Sequence, residues 1–171
     1  MPIEKGFRNS DVYYKPNTTY INWSRESVKT LQNDSTARWQ GYDYFFREGF
    51  FSSRGGFSDL KVRYTKDSVI DSTGVLLSPI NKETVSAKYL IGLLNSDLCE
   101  YITDTFINSS GKQATDMRHI PVPIPPQNKF EKVEGLVDEA IEIQKGNGSR
   151  NLTKVQEDID QVVEEIYDVR L

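Results

Sequence analysis

The chain has 171 residues and a formal net charge of −4, with a single cysteine and a single histidine. That length suits one domain with an appendage and a real core, while lone Cys99 excludes an internal disulfide and lone His119 excludes a multi-histidine metal site. The acidic balance argues against indiscriminate DNA coating, and without a signal peptide or an apolar run of membrane length the chain reads as soluble and intracellular, with no membrane partner.

Residues 1–41 carry the weakest signals. Asp11–Tyr14 and Thr19–Trp23 have strand composition around the turn signal Lys15-Pro16-Asn17, and Ser24–Ala37 is polar without periodicity. Residues 42–78 are aromatic and β-branched, punctuated by Gly and Ser, which predicts strands and turns. Within them Ser52–Gly56 reads as a loop, because paired glycines suit a strand interior poorly. Leu60, Val62 and Tyr64 alternate with Lys61, Arg63 and Thr65, which predicts a half-buried strand with a basic outer face.

From Tyr89 to Phe106 the apolar residues fall three and four apart, the spacing of one helix face. Asn95 and Ser96 compete for backbone hydrogen bonds, so a kink or a stop and restart is expected near Leu94 in place of one straight rod. A polar, glycine-containing segment with Lys112 and Gln113 follows, and the chain leaves on an extended path through Pro121, Pro123, Pro125 and Pro126. Beyond it, Phe130, Val133, Val137 and Ala140 form one apolar seam, and Leu152, Val155, Ile159, Val162, Ile166 and Val169 form another. The polar segment between the seams predicts an antiparallel helical hairpin, with capping boxes at Asn128/Glu131 and Thr153/Gln156. The fold expected is therefore α+β: a mixed, twisted sheet packed by helix over residues 1–125, then a C-terminal hairpin over residues 126–171 for packing or docking.

Charge divides at the same place. Residues 1–125 hold 15 Lys and Arg against 14 Asp and Glu, whereas residues 126–171 hold 6 against 11. An acidic partner should meet the first part, above all Arg38–Lys66, with six basic residues against three acidic. Catalytic constellations are sparse: there is no Gly-rich phosphate loop, Cys99 lies within the apolar periodicity, and His119 reads as structural or a surface contact. Asp158, Asp160, Glu164 and Glu165 read as the solvated face of a helix.

Several of these segments carry a resemblance. "YLIGLLNSDL" at 89–98 followed by "IPVPIPP" at 120–126, and Phe46, Glu48-Gly49, Ser52–Gly56, Arg63-Tyr64, Asp71-Ser72 and Gly74 in order, resemble the target recognition domains of restriction-modification proteins. The group includes TaqI-like specificity domains, type IIG enzymes, BREX phage-exclusion methyltransferases and type I specificity subunits. The closing "EDIDQVVEEIYDV" also resembles the family's C-terminal helix, departing at Glu164, where an aromatic is usual, and at Asp168, where glycine is usual.

The resemblance implies a sequence-specific recognition domain for double-stranded DNA, from a bacterial or archaeal cytoplasmic protein. It further implies a methyltransferase domain or subunit as partner, the chain being either a part of a modification or restriction enzyme or a specificity module. The family's Asn-Pro-Pro-aromatic, cofactor-glycine and nuclease motifs are not in this sequence. The chain alone is thus expected to be non-catalytic and to need no cofactor, S-adenosylmethionine belonging to the associated methyltransferase.

Arg and Lys suit guanine edges, Asn and Gln suit adenine, and small hydroxyls suit phosphates. The DNA-contacting set expected is Ser52, Ser53, Arg54, Lys61, Arg63, Lys66, Lys112, Gln113 and Arg118, with Arg54 as base reader and the hairpin pointing away. A protein-interaction domain that docks a partner through its acidic hairpin is the alternative.

Overall fold

A computed structural model describes residues 1–6, 11–37, 39, 41–53, 60–81, 84–106 and 117–169. In chain order its strands are β1 (Ile3–Glu4), β2 (Gly49–Ser53), β3 (Val62–Thr65), β4 (Val69–Ile70) and β5 (Gly74–Leu77). Its α-helices are α1 (Arg25–Asn33), α2 (Ala87–Leu94), α3 (Asp97–Phe106), α4 (Gln127–Gln144) and α5 (Leu152–Tyr167). The architecture is α+β, and its pairings are mixed: β3-β2-β5 form an antiparallel sheet, while β1 and β4 pair in parallel.

Register fixes the three-stranded sheet. Phe50 faces Tyr64 on one side and Leu77 on the other, and Ser52 faces Val62 and Val75. Gly74 is required there, because a Cβ on it would lie 2.0 Å from the Phe51 ring. The expected strands at Asp11–Tyr14 and Thr19–Trp23 shrink to single bridges, Tyr13 to Arg63 and Tyr20 to Pro2. Tyr13 sits at φ 67, in the left-handed region, so extended pairing cannot continue through it.

The helix break falls where Asn95 and Ser96 predict it. The Ser96 hydroxyl donates to Leu93 O at 2.7 Å and accepts from Cys99 N at 3.2 Å, closing α2 and opening α3 with one side chain. Asn95 reaches the sheet instead of its own helix: its Oδ1 accepts from Val62 N at 2.8 Å and its Nδ2 donates to Val62 O at 2.9 Å. The amide thereby behaves as a short extra strand on the β3 edge, beside Tyr13, whose N–H also reaches Val62 O at 3.3 Å, and it answers the buried Val62 N–H.

α4 and α5 form the C-terminal helical pair and pack on α2. They come close at Gly92, where a Cβ would stand 2.5 Å from Val133 Cγ1. One apolar cluster runs from Tyr13, Phe50 and Val62 through Tyr89 and Ile91 to Val133 and Ile159, and buried Cys99 belongs to it.

Three local expectations are corrected. Ser24–Ala37 contains α1, whose Ser24 side chain accepts from Ser27 N; none of its residues is buried, so no apolar periodicity marks it. α4 starts at Gln127 directly after Pro126 with no side-chain cap, so Asn128 is already inside the helix and forms no capping box. At α5 the cap is Asn151, two residues before Thr153 and accepting from its N–H, which leaves Gln156 to bond elsewhere. Among the described residues no helix is long and apolar enough to cross a membrane.

Candidate nucleic-acid interface

The β2–β3 register decides where the expected contact residues go. Ser52 pairs with Val62, so Ser53 and Lys61 stand at the same end of the sheet, where Ser53 also faces Gly74 of β5. Ser52 and Ser53 are strand residues and not part of a loop; Ser52 is buried and Ser53 half-buried. Their strand, β2, is the central one of the three. Arg54, Lys112 and Gln113 lie outside the described residues.

Lys61 points from this sheet end toward α3. Its Nζ donates to Glu100 at 2.6 Å and to Asn95 O at 3.4 Å, with 17 % of the side chain exposed. Its positive charge is therefore met locally by a carboxylate. Lys66 is exposed but sits past the other end of β3, about 16 Å along the strand from Lys61. Arg118 is exposed between the buried Met117 and Ile120.

Arg63 corrects the expected basic outer face. Its side chain is 4 % exposed, its guanidinium is ion-paired to the buried Glu4 carboxylate, and it lies over the Phe51 ring at 5.2 Å. Its Nη2 also donates to Lys5 O at 3.2 Å, while Glu4 Oε1 accepts from Thr65 Oγ1 at 3.0 Å and Asn17 Nδ2 at 3.3 Å. The physical reason is that β1 and its flanking residues cover this face of β3. The alternating pattern reports only that one face is apolar and cannot say that the other is covered too.

Three of the four hairpin carboxylates, Asp158, Asp160 and Glu165, also divide. Asp158 pairs with Arg150 at 2.6 Å and Glu165 with Lys129 at 3.4 Å, both at the surface. Asp160 instead turns inward, accepting from Asp97 N at 3.0 Å and Gln156 Nε2 at 2.9 Å. Partial burial, with the nearby Asp97 charge, holds its carboxyl up at about 6. Gln156 also donates to Asn95 O at 3.2 Å and accepts from the Tyr13 hydroxyl. The Tyr13 hydroxyl is pushed well above its ordinary value, chiefly by burial and then by the Asp160 and Asp97 charges.

Sequence reading missed an aromatic cluster. Trp23 and Trp39 stack at 5.7 Å with 12° between their planes, and Trp39 stacks on Tyr42 at 5.9 Å. Phe45 stands edge-on to both tryptophans. The available signal was the density of rings from Trp39 to Phe46, which β-strand composition absorbed equally well. A short 3-10 turn at Tyr42–Tyr44, entered through Gly41 at φ 73, gathers them instead.

No family model and no curated protein matches the sequence.

Proposed function

We propose that this chain is the sequence-specific DNA recognition domain of a restriction-modification or phage-defence methyltransferase, itself non-catalytic. The observation that carries the reading is the β2–β3–β5 sheet end, where Ser53, Lys61 and Gly74 stand together at the feet of the segment that contains Arg54. Lys61 ties α3 to that end through Glu100, and α3 finishes about 9 Å further on, where the chain enters the segment with Lys112 and Gln113.

The glycine positions of the family pattern support the same reading. A Cβ at Gly49 would lie 2.2 Å from Leu77 O, and one at Gly74 would collide with Phe51. Asp168, where the family has glycine, adopts the left-handed conformation at φ 55 that favours glycine. These agreements concern backbone geometry, which composition alone would not produce. Double-stranded DNA is the partner in this reading, with a methyltransferase domain or subunit as second partner and S-adenosylmethionine bound only there.

One observation favours docking as a role for the hairpin. Lys129, Gln161, Glu164, Glu165, Asp168 and Val169 line an open, mainly acidic groove of about 520 Å³. A methyltransferase partner fits it better than DNA, whose phosphates it would repel.

Fluorescence anisotropy with duplex libraries over a salt series tests the proposal. Binding should weaken steeply with salt, and selection should return one preferred sequence. Arg54→Ala should cost about 1–3 kcal/mol on that sequence and much less on random duplex. Lys66→Ala should weaken both equally and flatten the salt slope. Salt-independent binding, or none, would leave the docking reading.

A further inference from the structure

The aromatic cluster is one wall of a cleft of about 400 Å³, within the range of small-ligand sites. Trp23, Trp39 and Phe45 supply ring surface, Ile21 and Val69 supply aliphatic surface, and Thr36, Asp71 and Ser72 supply polar groups. The near-parallel tryptophans, with Phe45 at 70° and 80° to them, hold one another in place, so the wall is formed before any ligand arrives.

We propose that this cleft receives a planar nucleobase with an exocyclic amino group, presented by an unpaired or extruded nucleotide. The inference extends the DNA reading and rests on it for the source of the base. Ring walls take any base by stacking, so the polar groups must set the preference. Asp71 Oδ1 accepts from Thr73 N at 2.5 Å and from the Thr73 hydroxyl, but a carboxylate has acceptor capacity beyond two bonds. An amino group is the complementary donor, as in carboxylate recognition of cytosine. An aliphatic side chain would fit the walls but make no use of the Asp71 carboxylate or the Ser72 hydroxyl. A cation for the attached phosphate stands nearby in the ladder: Asp71 N donates to Glu4 O at 3.1 Å, which brings the exposed Lys5 to the same strand ends as Asp71 and Ser72.

The test uses the chain's own reporters. Trp23 and Trp39 are its two tryptophans, so both indole N–H resonances and all indole fluorescence report on this cleft. Short single-stranded oligo(dA) and oligo(dC), and a duplex with one unpaired adenine, should shift both resonances and quench the emission. Oligo(dT), which lacks the amino group, should bind several-fold more weakly. Trp39→Ala should weaken oligo(dA) binding about ten-fold. Asp71→Asn keeps an oxygen for Thr73, so folding is retained, and it should abolish the preference over oligo(dT). Oligonucleotides that leave both indoles undisturbed, or an unchanged preference in Asp71→Asn, would overturn the proposal. Duplex binding measured on the same samples separates the two readings. Intact duplex affinity with silent indoles removes the base cleft alone, whereas loss of duplex affinity by the unaltered chain removes the DNA reading.

Discussion

Arg63 shows how one residue can change roles once its surroundings are known. A buried guanidinium paired with a buried carboxylate holds β1 against β3, and removing one partner strands the other charge. Arg63→Ala should therefore destabilise the fold by about 3–5 kcal/mol in chemical denaturation. Arg63→Met, which keeps volume over Phe51, leaves Glu4 equally unpaired and should rescue only the packing part of that loss. In DNA binding, whatever fraction stays folded should keep the wild-type sequence preference. A variant with full stability and altered preference would return Arg63 to the contact set.

At the scale of elements, the N-terminus of α3 is the most informative junction. Its first turn is served by two outside side chains, Ser96 for Cys99 N and Asp160 of α5 for Asp97 N. Desolvation raises the Asp160 carboxyl from 3.8 to about 6, so between those values the folded state binds a proton that the unfolded chain has released. The contribution of this group is thus fully present below about 4 and lost as pH rises through about 6. Because the side chain keeps substantial solvent access, the loss should be about 1 kcal/mol and not the larger figure a fully buried group would give. Ordinary carboxylates act in the opposite direction over the same range, so the check is a difference: Asp160→Asn measured beside the parent from pH 4 to 6. The variant should gain relative stability as pH rises. A constant difference would show that Asp160 titrates normally.

For the molecule as a whole, the hairpin and the preceding residues share one core. Tyr89 is fully buried and stacks on Phe130 of α4 at 4.9 Å, and its hydroxyl donates to Pro123 O at 2.8 Å. Ending the chain after Pro125 would expose Tyr89 and the Gly92 face of α2. Residues 1–125 alone should bind a hydrophobic dye and unfold without a cooperative transition, whereas the full chain should unfold in one step. A cooperative transition in the shortened chain would establish the hairpin as an independent appendage. The sequence by itself determined the elements that have a repeating apolar face: α2, α3, α4 and α5 follow from residues three and four apart, and the break at Asn95–Ser96 follows from side chains that compete with the helix backbone. It determined the strand-rich character of residues 42–78 as well. Only the tertiary structure decided what each remaining face meets. Arg63 is internal because Glu4, 59 residues away, covers it; Asn95 is a sheet partner because Val62, 33 residues away, lies beside it. The tryptophan cleft exists because Trp23 and Trp39 converge across α1. Periodicity measures which side of an element is apolar, and burial of its polar side depends on contacts that no local pattern contains.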